Sequence, residues 1–214
     1  MIRYIADTHF CHANVIKYDN RPFKDVEEMN AKMIELWNDH VADDDTTYIL
    51  GDVVWSGYKE WERILRQLKG SIVIIKGNHD KVSTIENICC GNPHVSYAGE
   101  QVTIVDNDRH VVLNHCPILC YPNNFRGWYH LYGHVHCSYD YNTILHTQKA
   151  LEDLYCTKFN MFNVGAMHIG YFPRTLDEIE KIYKDKEFIA ANAMCNFKEN
   201  KNYAFHGTSV SKAE

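Results

Sequence analysis

Five short polar motifs, each directly following an apolar run, set the strongest limits on how this chain folds. They carry carboxylate, amide and imidazole groups and are Asp7-Thr8-His9, Gly51-Asp52, Gly77-Asn78-His79-Asp80, Asn114-His115 and Gly133-His134-Val135-His136. In α/β sheets, ligand sites gather just past the carboxyl ends of strands. If each apolar run is a strand, the five motifs meet at one edge of the fold.

The first hundred residues alternate between strand-like and helix-like patterns. We predict strands at Ile2–Ala6, Thr46–Leu50 and Ser71–Lys76, and the last of these is too uniformly apolar to have a solvated face. Between them, the segment from Asp25 to Val41 and the segment around Trp61–Leu68 have the apolar spacing of amphipathic helices. This alternation is typical of a sheet with right-handed crossovers.

The pattern changes after about residue 94. Further strands are predicted at Val95–Val105, His110–Asn114, Tyr129–Tyr132 and Asn160–Val164, with a turn at Asp106-Asn107-Asp108. Thr175 with Glu178 predicts the start of a last helix that runs to about Tyr183. We expect a single domain over residues 1–190 and a loosely packed or frayed tail over residues 191–214.

Composition and charge exclude some classes of protein. With 214 residues, 45% hydrophobic and 23% charged, the chain is suited to one globular domain. No apolar stretch approaches the roughly 18 residues of a membrane span, and the start lacks a secretion signal, so we expect no membrane partner and a cytoplasmic location. With 22 basic and 28 acidic residues, giving a net charge of −6, it lacks the excess of Lys and Arg that long nucleic acid requires. The oligomeric state is left open.

The motif side chains suit divalent metal ions. Carboxylates can bridge two ions while imidazoles and an amide oxygen complete each shell. Two ions about 3.5–4 Å apart can clamp the oxygens of a phosphoryl group. Because this donor set has no Cys, it favours two Mn ions, with Fe, Zn or Ni as alternatives.

The order of the motifs resembles the calcineurin-like metallophosphoesterase superfamily, whose pattern is D-x-H, G-D, G-N-H-[ED], H and G-H-x-H. All five elements occur in order over residues 7–136. The strings Ala6–Phe23 and Asn163-Val164-Gly165-Ala166 further resemble small bacterial and phage phosphoesterases. The resemblance implies an α/β fold: a four-layer α/β/β/α sandwich with two mixed sheets flanked by helices.

The resemblance also implies two sets of metal ligands that share Asp52. One set is Asp7, His9, Asp52 and His136, and the other is Asp52, Asn78, His115 and His134. It further implies that His79 contacts the phosphate and protonates the leaving oxygen, that Asp80 orients His79, and that hydroxide between the metals is the nucleophile.

Substrate contacts are less restricted by the sequence. Arg21 and Arg126 are candidate phosphate contacts, since a guanidinium matches phosphate oxygens, although a solvated surface role is the alternative. Four aromatic residues near the motifs either pack in the core or rim or stack on a base: Trp55, Tyr121, Phe125 and Trp128.

We therefore expect a dinuclear metal-dependent phosphoesterase acting on a small phosphorylated substrate, a phosphomonoester or phosphodiester, with nucleotides and cyclic nucleotides as candidates. A nuclease or a phosphoprotein phosphatase using the same site is the first alternative. A non-catalytic binding scaffold of the same fold is the second, disfavoured because every expected ligand is present.

Overall fold

The computed structural model describes residues 1–185. The predicted tail over residues 191–214 lies outside this described part of the chain. Within it, no helix combines the length and the apolar character that crossing a membrane requires.

The first sheet carries three of the five motifs. Its strands are β1 (Ile2–Ile5), β2 (Thr46–Leu50), β3 (Ser71–Ile75) and β4 (Val95–Tyr97), paired in that order and parallel throughout. Because Ile5 pairs with Ile49 and Leu50 pairs with Ile75, the first three strands end side by side. The loops that follow them therefore leave the same edge of the sheet.

The second sheet carries the other two motifs. It contains β5 (Gln101–Asp106), β6 (Arg109–Asn114), β7 (Tyr129–Tyr132) and β8 (Asn160–Asn163). β5 and β6 form an antiparallel hairpin, and β6, β7 and β8 are parallel. The predicted turn at residues 106–108 joins the hairpin, and Asn107 and Asp108 both have positive φ, as a tight hairpin turn requires.

Helices cover both sheets. They are α1 (Ala13–Tyr18), α2 (Val26–His40), α3 (Tyr58–Leu65), α4 (Val82–Gly91), α5 (Tyr139–Tyr155), α6 (Ala166–Ile169) and α7 (Leu176–Lys184). Two predicted starts are confirmed by their caps. The Asp25 carboxylate accepts from the Glu28 N–H at 2.9 Å, and Thr175 with Glu178 forms a complete capping box.

Main-chain hydrogen bonds connect β1 with the segment that follows β8. The Ala6 N–H donates to the Val164 carbonyl at 2.8 Å, and the Ala166 N–H donates to the Ala6 carbonyl at 2.8 Å. Buried side chains of both sheets, including Ile5 and Leu131, belong to one hydrophobic core. This contact brings the motif after β1 against the motifs of the second sheet.

The α/β fold with two sheets flanked by helices is confirmed, with two differences from the prediction. The first sheet is parallel rather than mixed over its four described strands, because α4 returns the chain to the starting edge before β4. Residues 95–105 form two strands in different sheets rather than one strand. The chain changes sheets at Gly99, whose φ of +92° is readily adopted only by glycine.

Candidate metal centre

The seven predicted ligands are delivered by loops that directly follow strands. Asp7 follows β1, Asp52 follows β2, and Asn78 follows β3. The second sheet contributes His115 after β6 and His134 after β7. The structure brings all of these side chains, together with His9 and His136, to one place between the two sheets.

Four of them form a compact inner group, defined as Asp7, His9, Asp52 and His136. One ligand atom from each lies within 4.8 Å of the others. The Nε2 atoms of His9 and His136 are 3.2 Å apart, and His136 Nε2 is 3.6 Å from Asp7 Oδ1. Converging imidazole nitrogens and carboxylate oxygens at this spacing can enclose a divalent cation.

The other three are Asn78, His115 and His134, and together with Asp52, which both groups share, they define an outer group. The Asn78 side-chain oxygen is 2.8 Å from His115 Nε2 and 3.0 Å from His134 Nδ1. Asn78 and His134 are exposed, whereas His115 is buried and its Nδ1 lies 2.7 Å from the Leu50 carbonyl oxygen. That contact fixes Nδ1 as the protonated nitrogen, which leaves Nε2 free to act as a ligand.

Asp52 lies between the two groups. Its Oδ2 atom is 3.6 Å from His9 Nε2 and 3.6 Å from His115 Nε2. Its other oxygen, Oδ1, accepts a hydrogen bond from the His79 backbone N–H at 3.1 Å. A carboxylate in this position can contact ions on both sides.

The backbone at the ligands is unusual. Five of the seven predicted ligands have positive φ: Asp7, His9, Asp52, His134 and His136, with φ between 41° and 72°. Non-glycine residues adopt this left-handed region infrequently, and such residues cluster at functional sites. The conformation turns each side chain back towards the site instead of continuing the strand direction.

Two motif glycines are required by close approach. A Cβ atom on Gly77 would collide with the Asp52 side chain, and one on Gly133 would collide with the Asp7 carboxylate. The glycines in G-N-H-D and G-H-x-H therefore leave room for carboxylates of other motifs.

Electrostatics also fit a bound cation. Burial raises the pKa of the Asp7 carboxyl, and the nearby Asp52 adds to this effect, although His136 and His115 oppose it. Burial lowers the pKa of His9 and His134, which keeps their rings in the neutral form that ligates metals. Two buried carboxylates facing neutral imidazoles need positive charge, and a divalent cation would supply it.

Asp19 and Arg21 support the inner group. His136 Nδ1 lies 2.9 Å and 3.0 Å from the two carboxylate oxygens of Asp19. Burial opposes protonation of His136, but the carboxylates of Asp7 and Asp19 outweigh it and raise the pKa of this ring. A carboxylate on the second ring nitrogen orients a ligating histidine and increases its basicity.

Arg21 is buried instead of reaching into the cleft. Its guanidinium donates to the backbone carbonyls of Asp7 at 2.8 Å and Thr8 at 2.9 Å, and to Asp19 Oδ2 at 3.0 Å. These contacts favour a positioning role for Arg21 over the predicted phosphate contact. Arg126 is exposed on the 3₁₀ turn Asn124–Arg126, and among residues 1–185 no hydrogen bond or ion pair joins it to a motif residue.

Asp80 connects two motifs through their backbones. Its Oδ2 accepts from the N–H groups of Gly77 at 2.9 Å and Asp52 at 2.8 Å, and its Oδ1 accepts from Val53 at 3.2 Å. The predicted pairing with the His79 ring is not among the hydrogen bonds of the described residues. Asp80 therefore holds the loop of Asp52 against the loop of Asn78, and its predicted part in catalysis is indirect in this arrangement.

His79 borders the site from an exposed position. Its ring centroid is 6.4 Å from that of His9 and 4.6 Å from that of Trp55. It lies outside the inner and outer groups, and its predicted role as proton donor stays a prediction.

Sequence reasoning missed Asp19, and it leaves open whether His12 and His168 border the site. Asp19 lies within the string of residues 6–23, but a single Asp in a polar loop gives no signal of burial. His168 lies in α6, is buried and has its Nε2 3.1 Å from the His136 carbonyl oxygen. His12 stacks on Trp55 with ring centroids 4.2 Å apart, and no local pattern indicates that contact.

Comparison with known proteins agrees with this geometry. The sequence profile described as calcineurin-like phosphoesterase matches residues 2–202. An uncharacterised protein of Methanocaldococcus jannaschii is 38% identical over 186 residues, covering 85% of this chain and 90% of that protein.

Two solved structures are also similar. A protein of unknown function from Aquifex aeolicus has a TM-score of 0.62 at 22% identity, covering 85% of this chain and 98% of that chain. This similarity concerns the fold alone. The zinc complex of Vps29 from Entamoeba histolytica has a TM-score of 0.34 at 18% identity, covering 63% of this chain and 64% of that chain.

Proposed function

The chain belongs to the calcineurin-like phosphoesterase family, and on that premise we propose that it hydrolyses a small phosphomonoester or phosphodiester with two divalent metal ions. Nucleotides and cyclic nucleotides are the candidate substrates. Manganese is the favoured metal, because the seven donors are oxygen and nitrogen atoms without a thiolate.

The position of Asp52 is the observation that carries the proposal. One of its carboxylate oxygens is equally distant from a ring nitrogen of each ligand group. A closed structural metal site would need a single set of four ligands, whereas this arrangement has two sets with a shared member.

Bound metals would neutralise charge on the phosphoryl oxygens and make hydroxide available near neutral pH. The protein's own residues would bind and orient. Asn78 and His134, which are exposed, leave the outer group accessible to a phosphate from solvent. Asp80 holds the Asp52 and Asn78 loops together, and Asp19 with Arg21 holds His136 and the Asp7 backbone.

His79 is the proposed proton donor to the leaving oxygen. Its backbone is fixed by the hydrogen bond to Asp52, while its ring is exposed beside the inner group. Histidine is the side chain most often used for general acid catalysis.

Hydrolysis of a chromogenic phosphate monoester and a chromogenic diester, with Mn added, tests the proposal. We expect turnover of at least one ester, and loss of it in Asp52→Asn. Absence of turnover on both esters, with two ions bound per chain by elemental analysis, would contradict phosphoesterase activity.

A second panel of mononucleotides, cyclic nucleotides, short oligonucleotides and a phosphopeptide distinguishes a small-molecule esterase from a nuclease or a phosphoprotein phosphatase. The net charge of −6 favours small substrates over long nucleic acid. Faster cleavage of the oligonucleotide or the phosphopeptide than of any mononucleotide would overturn that preference.

A further inference from the structure

A cavity of about 370 Å³ lies beside the candidate metal centre, against the start of α3 and α4. Its walls include Trp55, Ser56, Trp61, His79, Lys81 and Thr84. Ligand pockets in proteins are typically about 300–1,000 Å³, so this one suits a group of nucleoside size.

His79 belongs both to the cavity wall and to the border of the metal centre. Its ring faces the His9 ring at 6.4 Å and the Trp55 ring at 4.6 Å. If His79 protonates the leaving oxygen, the leaving group lies on the His79 side of the phosphorus. The cavity is then the space that the leaving group enters.

Trp55 provides an aromatic surface in this wall. It is 43% exposed, so a large part of the indole is open to solvent. The His12 ring stacks on it with centroids 4.2 Å apart and an interplanar angle of 8°. The indole is therefore held in place by a neighbouring ring while part of it remains open to a ligand.

The remaining walls combine hydroxyl groups with one cation. Ser56 and Thr84 provide hydroxyls, and Lys81 is exposed. Among residues 1–185, the Lys81 ammonium has no hydrogen-bond or ion-pair partner. Donors and acceptors beside an aromatic surface match the edge of a nucleobase and the hydroxyls of its sugar.

We propose that this cavity binds the nucleoside part of a nucleotide substrate, with Trp55 stacking on the base. The inference rests on the proposed function and specifies its substrate class. In the hydrolysis, the water oxygen forms a new P–O bond and the P–O bond to the nucleoside breaks. The leaving oxygen takes a proton from His79, and a proton of the attacking water restores His79.

An aryl phosphate such as phosphotyrosine is the competing ligand, since a phenol ring also stacks on indole. Its phenyl ring has no donor or acceptor at the edge to pair with the hydroxyl and ammonium groups of the wall. The nucleoside uses both kinds of surface and is therefore favoured.

The test compares AMP with ribose 5-phosphate, which is the same ester without the base. In Trp55→Ala, we expect the ratio of kcat/KM for AMP to that for ribose 5-phosphate to fall about 10- to 100-fold, the usual effect of losing one base-stacking ring. Trp55→Phe, which keeps a ring, should give a smaller fall. Tyr155→Ala is the matched control: Tyr155 is 52% exposed and is not part of the cavity wall, so the ratio should match that of the wild type.

Equilibrium dialysis with adenosine and Mn-loaded protein provides a readout without catalysis. We expect wild-type protein to bind adenosine more tightly than ribose, and Trp55→Ala to lose that preference. If no ester is hydrolysed but Trp55 still determines adenosine binding, the subsite stands and the proposed function fails.

Two results would overturn the inference that the cavity binds a nucleoside. It fails if esters are hydrolysed but Trp55→Ala leaves both the kcat/KM ratio and adenosine binding as in the wild type. It also fails if wild-type protein shows no preference for AMP or adenosine over the base-free sugars. A Trp55-dependent preference for phosphotyrosine over AMP would assign the cavity to aryl phosphates instead.

Discussion

The inner and outer groups of the candidate metal centre share Asp52 but differ in burial and in support. Asp7, His9 and Asp52 have side chains at most 4% exposed, and Asp19 holds His136 from behind. In the outer group, Asn78 and His134 are exposed, and among residues 1–185 no carboxylate hydrogen-bonds to either side chain. Charge interactions are stronger where water is excluded. We therefore propose that the inner group holds its ion more firmly and that the outer group is the one that a substrate oxygen reaches.

The largest effect is expected from removing the residue that both groups share. Asp52→Asn should abolish hydrolysis and lower the content of both ions, because the amide has no charge to offer to either side. Elemental analysis of the purified variant and an ester hydrolysis assay measure the two effects. An active variant with normal metal content would show that Asp52 binds neither ion, and the two groups would then have no shared residue.

A substitution outside both groups should distinguish metal binding from catalysis. His79→Ala should slow turnover by about 10²–10⁴-fold, the range usual for general acid catalysis, while both ions stay bound. Steady-state kinetics and metal analysis on the same preparation give the answer. Loss of an ion in this variant would show that His79 is a metal ligand. The two groups would then have to be defined again.

The support of the inner group can be tested through Asp19. Asp19→Asn should weaken binding of one ion by about 10–100-fold, as removal of a residue that orients a metal ligand commonly does. Asp43→Asn, an exposed carboxylate in the turn before β2, is the matched control. Metal titration with a thermal unfolding control checks the prediction, and equal affinities in the two variants would refute the role given to Asp19.

The smallest expected effect is the difference between the two sites in the wild type. We expect two binding steps, with the inner ion bound about tenfold or more tightly, a difference of about 1.4 kcal/mol. Calorimetric titration of metal-free protein, followed in parallel by ester hydrolysis, should show activity rising with the second step. A single step for two ions would show that burial does not separate the groups.

Much of the fold and of the candidate site could be predicted from the sequence. Apolar runs such as Ile72–Ile75 indicate buried strands because they are short, consist of β-branched residues and are flanked by glycines. Once those strands are aligned, the polar residues that follow them must meet. The meeting of the five motifs could be predicted for this reason, whereas the choice of seven ligands among their residues comes from the family resemblance.

Other features depend on tertiary contacts that leave no local pattern. α5 was not predicted because, of its 17 residues, Tyr141 alone is buried, so no apolar stripe marks the helix. Arg21 and Asp80 could be recognised as polar residues near the motifs, but their partners are backbone groups of distant loops. Sequence identifies which side chains are present, whereas burial decides whether they face substrate or support the loops.

The positive φ angles at five ligands limit which amino acids this site can use. Asp, Asn and His tolerate left-handed backbone better than most residues, while β-branched residues do not. Asp7 and Asp52 are thus restricted twice, by their chemistry as donors and by the bend of the chain at their α-carbons. Redesign of the site for a chosen metal would have to begin with the loop conformation. Most replacement donors would be strained in the left-handed backbone at these positions.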